Sequence, residues 1–122
     1  MFAGAHNLDN LVVIVDNNGL QIDGKVEDVC SVYPIAKKFE AFNFNTIEID
    51  GHNFDEIRAA MDKAKETKGM PTAIIMKTVK GKGVSFMENN AGWHGKAPND
   101  DEYATAMADL AKIEEELGKA GE

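Results

Sequence analysis

The sequence is short of the residues that build cross-links and metal cages. Cys30 is its only cysteine, so no disulfide can form within the chain. That scarcity agrees with a reducing, cytoplasmic setting. With one cysteine and three scattered histidines, no zinc-ligand spacing exists. Long apolar runs are missing as well, and none approaches the ~20 residues of a membrane span. Met1 to His6 has neither a basic region nor a long apolar stretch, so it does not read as a signal peptide. Positive charge is in deficit: 13 Lys and Arg stand against 21 Asp and Glu, a formal net charge of −8. Nucleic acid is therefore a poor partner, because phosphate backbones need a clustered basic surface. A small phosphorylated ligand stays open, since a metal ion and a few local donors can hold one. Neither a P-loop nor a Gly-x-Ser-x-Gly elbow occurs. No internal repeat, low-complexity tract or linker is evident.

What is present is an alternation of strand-like and helix-like segments in 122 residues, a length that fits one domain. Leu11 to Val15 is a continuous apolar run rich in β-branched residues, which predicts a strand buried on both faces. Asp16 to Gly24 supplies turn residues. Pro34 to Phe42 predicts a helix, with Ile35, Phe39 and Phe42 on one face and Pro34 in the first turn. Phe44 to Ile49 alternates and predicts a second strand, less buried than the first. Asn53 and Glu56 form a capping-box pattern ahead of a helix striped with Ile57, Met61 and Ala64. Lys68-Gly69 and Pro71 end it. Thr72 to Met76 predicts a third strand. Val79 to Pro98 reads as a long loop without regular structure, of the functional or disordered kind. Asn99 and Glu102 form a second capping box for a helix to about Leu117, whose inward face would carry Tyr103, Met107, Leu110 and Ile113. The expected fold is α/β, a three-layer arrangement around a parallel sheet with right-handed crossovers.

In such sheets ligands bind beyond the carboxyl ends of the strands. The loops Asp16–Gly24, Asp50–Asn53 and Val79–Pro98 would share that edge. Asp16, Asn17 and Asn18 put three oxygen-bearing side chains directly after a strand, and oxygen ligands suit Mg²⁺ or Ca²⁺. The same residues also make ordinary turns, and composition alone leaves both readings standing. Lys80-Gly81-Lys82-Gly83 reads either as an anion-binding turn or as a solvated basic one. His94, beside Gly95 in the long loop, is either a proton-transfer or hydrogen-bonding group or merely exposed. His6 and His52 have weaker cases.

Asn10-Leu11 followed by VVIVDNNGLQIDG resembles the second half of the thiamine diphosphate motif of transketolases. The later stretch TVKGKGVSFMENNAGWHGKAPND is similar to the end of the same domain, in the N-terminal subunit of the split, two-chain type. The resemblance covers nearly the whole chain in order. It implies a partial thiamine-diphosphate-binding fold with thiamine diphosphate and Mg²⁺ as cofactors. It implies that Asn18 binds the metal and the cofactor diphosphate, and that the Leu20 carbonyl is a further metal ligand. Ile22 would pack near the thiazolium ring, and His94 would contact the cofactor and the sugar. Asp16 and Asn17 would shape the loop, while Lys80 and Lys82 carry no implied role.

The family motif opens with Gly-Asp-Gly, whose aspartate is a principal metal ligand. Only seventeen residues precede Asn18 here, and none forms that tripeptide. The upstream histidines and the second, pyrimidine-binding domain with its glutamate are absent too. The expectation is a domain truncated at its N-terminal side, inactive alone, that works with missing sequence or a partner transketolase chain on sugar phosphates. In the full enzyme the reaction would move a two-carbon glycolaldehyde unit from a ketose phosphate to an aldose phosphate. An unpaired sheet edge would promote self-association, as a homo- or hetero-oligomer. Rival readings are a non-catalytic binding or assembly module, and another thiamine diphosphate enzyme such as deoxyxylulose-phosphate synthase or a 2-oxoacid dehydrogenase. Leu20 to Gly24 fits transketolase better than either enzyme.

Overall fold

The fold is taken from a computed structural model that describes residues 1–120. In chain order the elements are α1 (Phe2–Ala5), β1 (Val12–Asn17), β2 (Leu20–Gln21), β3 (Gly24–Lys25), α2 (Val26–Cys30), α3 (Ile35–Glu40), β4 (Asn45–Asp50), α4 (Phe54–Glu66), β5 (Thr72–Lys77), a 3₁₀ turn (Ala91–Trp93) and α5 (Asp100–Ala120). Three strands form a parallel sheet in the order β1-β5-β4. β2 and β3 make a separate two-stranded antiparallel hairpin. No described helix is long and apolar enough to cross a membrane.

The α/β class and the parallel sheet match the sequence expectation, but the burial ranking does not. β1 was expected to be buried on both faces, yet its Ile14 is 53% exposed. The fully buried strand is β5, where Ala73, Ile74 and Ile75 are at most 1% exposed. Position explains the reversal. β5 pairs on both sides, whereas β1 lies at an edge with one partner. β4 is the other edge, and it buries Ile49 against Ile74 and Ala60.

Helix boundaries follow their caps. Asn53 Oδ1 accepts the Asp55 and Glu56 backbone N–H groups at 3.0 and 3.3 Å. Glu56 reaches back to the Asp50 N–H at 2.9 Å rather than to that of Asn53. Asn99 and Glu102 form the reciprocal box: Glu102 N–H donates to Asn99 Oδ1 at 2.9 Å, and Asn99 N–H to Glu102 Oε2 at 2.8 Å. Pro34 sits at the N-cap of α3, one position before the first turn where it was expected.

Two expectations fail. Tyr103 and Met107 do not face inward; Tyr103, Met107, Leu110 and Ile113 are 58, 48, 43 and 38% exposed, and among the described residues of this helix only Ala106 is buried. Gly83 of the preceding loop rests on one end of that stripe, where a Cβ would stand 3.4 Å from Leu110 Cδ2 and 3.2 Å from Ile113 Cδ1. The segment 79–98 is not structureless either. Asn89 N–H returns to the Lys80 carbonyl at 3.0 Å. Gly81 adopts φ +71 with Met87 so close that a Cβ would lie 2.7 Å from its backbone. Ser85 donates through N–H and hydroxyl to Asp109 of α5, at 3.0 and 2.6 Å. The loop is a compact, internally bonded unit seated on α5.

Candidate functional site

Parallel pairing brings three chain exits to one edge. Asn17, Lys77 and Asp50 are aligned across β1, β5 and β4, so the loops that follow lie side by side. Asn18 comes directly after β1. Its Oδ1 accepts the Leu20 N–H at 2.9 Å, an Asx turn that swings the chain into the β2–β3 hairpin. The Gly19 carbonyl then takes the Val26 N–H at 3.0 Å and closes the hairpin onto α2.

This geometry leaves a groove of about 340 Å³ lined by Asn18, Leu20, Gln21, Ile22, Lys80 and His94. The four residues singled out from the sequence thus stand around one space, although His94 is far from the others in the chain. Gln21 and Lys80 join them. For Lys80 the sequence signal was the Lys-Gly-Lys-Gly pattern, which could not say which lysine mattered. The structure divides the pair: Lys80 reaches the groove, while Lys82 lies 3.6 Å from Glu88. Gln21 had no signal. Its Nε2 is buried without a hydrogen-bond partner in the protein. Such a donor costs about 1–3 kcal/mol when left alone, and an acceptor on a bound molecule would relieve it.

His94 is exposed, and its place is fixed through its neighbour. Trp93 Nε1 donates to the Phe86 carbonyl at 3.0 Å, its ring packs 5.1 Å from that of Phe86, and Lys96 Nζ lies 4.1 Å over it. His94 N–H donates to the Ala91 carbonyl at 2.9 Å. At the loop base, the Gly83 N–H and, to a lesser extent, Lys82 hold the Glu88 carboxyl below its ordinary value of 4.5, against the opposing pull of partial burial. Asp16 and Asn17 are occupied in shaping the edge. Asp16 Oδ1 accepts the Thr78 hydroxyl, and Asn17 Oδ1 accepts the Tyr33 hydroxyl at 2.8 Å.

The donor set has a definite chemistry. The Asn18 amide oxygen keeps a second lone pair after serving Leu20. Among the described residues no three His, Cys, Asp or Glu side chains converge as a metal cage. A cation here would rest on neutral oxygens and on the charge of its own ligand. Mg²⁺ held through phosphates takes few protein ligands, usually one or two carboxylates, and the groove's lining offers none, so these oxygens make up part of such a site. Lys80 adds positive charge at the same groove. The residues fit one side of a metal-held diphosphate.

Comparison with known proteins gives the same direction. Residues 1–115 match the family model described as transketolase, thiamine diphosphate binding domain. The 6-deoxy-6-sulfo-D-fructose transketolase subunit SqwG of Clostridium sp. (strain MSTE9) is 39% identical over 112 residues, covering 92% of this chain and 41% of that protein. One of the subunits of the apulose-4-phosphate transketolase of Phocaeicola vulgatus is 35% identical over 119 residues, covering 98% of this chain and 42% of its own length. The crystal structure of transketolase from Campylobacter jejuni superposes with a TM-score of 0.81 at 32% identity, covering 90% of this chain and 17% of that one. The chain therefore spans about two-fifths of the curated subunits it matches. Family model, relatives and fold agree, and the chain belongs to the transketolase family, within its thiamine-diphosphate-binding domain.

Proposed function

We propose that this chain supplies one wall of the thiamine diphosphate site of a transketolase that moves a glycolaldehyde unit between sugar phosphates. The observation that carries the reading is the meeting of Asn18, Leu20, Ile22 and His94 around a single groove. The two motif segments that suggested the family converge there.

In this reading the Asn18 Oδ1 and the Leu20 carbonyl hold Mg²⁺, and Lys80 balances the diphosphate charge. Exposed Ile22 offers an apolar surface to the thiazolium ring. Exposed His94 lines the groove, where its imidazole would donate or accept a proton at a sugar hydroxyl. Bound there, thiamine diphosphate would supply the carbanion chemistry that no side chain can. The hairpin and the loop 79–98 orient the ligand and exclude water on their side only. The remaining metal ligand and the pyrimidine contacts belong to further transketolase sequence or to a partner chain. Two of the relatives are named as transketolase subunits, which supports an assembly of more than one chain. The isolated chain is inactive on this account. A reducing, cytoplasmic compartment suits its exposed Cys30.

Calorimetric titration with thiamine diphosphate and excess Mg²⁺ tests the reading. Saturable heat that disappears in Asn18→Ala supports it. Heat unchanged in that variant overturns the assignment of the groove.

A further inference from the structure

The loop that carries Lys80 and His94 leaves the middle strand of the sheet, and it is gripped from both sides within two residues. On the β1 side, the Thr78 N–H donates to the Asn17 carbonyl at 3.3 Å, and the Thr78 hydroxyl donates to Asp16 Oδ1. On the β4 side, the next residue is held by a side chain. The Val79 backbone N–H donates to His52 Nε2 at 2.8 Å. Val79 immediately precedes Lys80, which lines the groove.

His52 is built into that role. Its own N–H donates to Asp50 Oδ1 at 2.9 Å, which fixes the backbone at the end of β4. Gly51 lets the turn lie flat against the neighbouring strand. A Cβ at Gly51 would stand 2.5 Å from Thr78 Cγ2 and 2.9 Å from Met76 Cβ, so a side chain there would push the turn and His52 away. Accepting a backbone N–H at Nε2 requires a neutral imidazole with its proton on Nδ1. The ring therefore acts here as a fixed acceptor.

We infer that His52 is a positioning residue for the candidate site. It pins Val79, and through Val79 the backbone of Lys80, so that the Lys80 ammonium is presented to the groove. The Lys80 carbonyl carries the constraint onward by accepting the Asn89 N–H at 3.0 Å, across the neck of the loop that ends in Trp93 and His94. Part of this inference, the consequence for ligand affinity, rests on the cofactor reading above. The clamp itself does not.

The test uses the full 122-residue chain and three variants, read by amide hydrogen exchange in NMR and by titration with thiamine diphosphate and Mg²⁺. Glutamine places its Oε1 near the position of the imidazole Nε2, whereas asparagine stays polar but falls short. Expected in His52→Ala and His52→Asn is exchange at Val79 and Asn89 faster by about tenfold or more, with the Ser85 amide on the far side of the loop unchanged. Affinity for thiamine diphosphate falls about three- to tenfold in the same variants, and His52→Gln restores both readouts. Unchanged exchange at Val79 and Asn89 in His52→Ala overturns the clamp. Faster exchange with unchanged affinity overturns its bearing on the site. Absence of binding by the wild-type chain would fit a site only half present in it, and exchange would still decide the clamp.

Discussion

The Asn18 side-chain oxygen accepts the Leu20 backbone N–H at 2.9 Å, so the two residues proposed to share one metal ion are already joined in a turn. This bond places the amide oxygen and the Leu20 backbone within one tight reversal before any ligand arrives. Preorganisation of that kind lowers the ordering cost of binding. Asn18→Ala removes the metal donor and the turn bond together. Its affinity for thiamine diphosphate with Mg²⁺ is expected to fall at least about tenfold, whereas Asn18→Asp keeps the acceptor and retains part of the binding. Calorimetry on both variants checks this.

The two lysines of the Lys-Gly-Lys-Gly turn should separate functionally. Lys80 lines the groove, and Lys82 faces Glu88. Lys80→Ala is expected to weaken thiamine diphosphate about tenfold while leaving binding of thiamine, which lacks the diphosphate, unchanged. Lys82→Ala should leave both alone, because an exposed ion pair contributes little. Competition titrations with the two ligands distinguish the outcomes.

The loop over α5 should loosen in acid. Asp109 is held below its ordinary 3.8 by the Ser85 hydroxyl and N–H, and Glu88 below 4.5 by the Gly83 N–H. A folded pKa below the unfolded one means that the unfolded chain binds the proton more readily. The stabilisation is thus complete above the ordinary carboxylate range and is lost as pH falls through the lowered folded values. Thermal melts from neutral to acid pH should show a falling Tm. Asp109→Asn should lower the neutral Tm and flatten the acid dependence, and an unaltered slope would contradict this account.

The stripe on α5 should govern association. Tyr103 and Met107 are 58 and 48% exposed. Replacing each by Glu is expected to change stability by no more than about 0.5 kcal/mol, as for other surface sites. If this face drives self-association of the chain, the double variant sediments as a smaller species at the same concentration. A sharp drop in Tm would show instead that the stripe packs within the chain.

The central helix offers a calibration of the core. Asn53 caps α4 with two bonds from its Oδ1. Asn53→Ala should cost about 1 kcal/mol by chemical denaturation. Ile74→Ala, at a site with no exposure, should cost about 2–5 kcal/mol.

Much of this molecule was determined by the sequence alone. β-branched runs, helical spacing and the two Asn…Glu boxes fixed the kind and order of most elements, because these signals depend on neighbours a few residues away. The loops that follow the strands came to one edge because right-handed crossovers leave a parallel sheet little choice. Burial was a different matter. β1 and β5 read alike as apolar runs, and only pairing on both sides made β5 the core and left Ile14 of β1 exposed. The α5 stripe had helical periodicity, but periodicity does not say whether anything covers a face. Choosing Lys80 over Lys82, finding Gln21, and turning His52 from a marginal histidine into the acceptor for Val79 all required contacts between residues distant in the chain. Local pattern encodes what each segment can become, and long-range pairing decides what it touches.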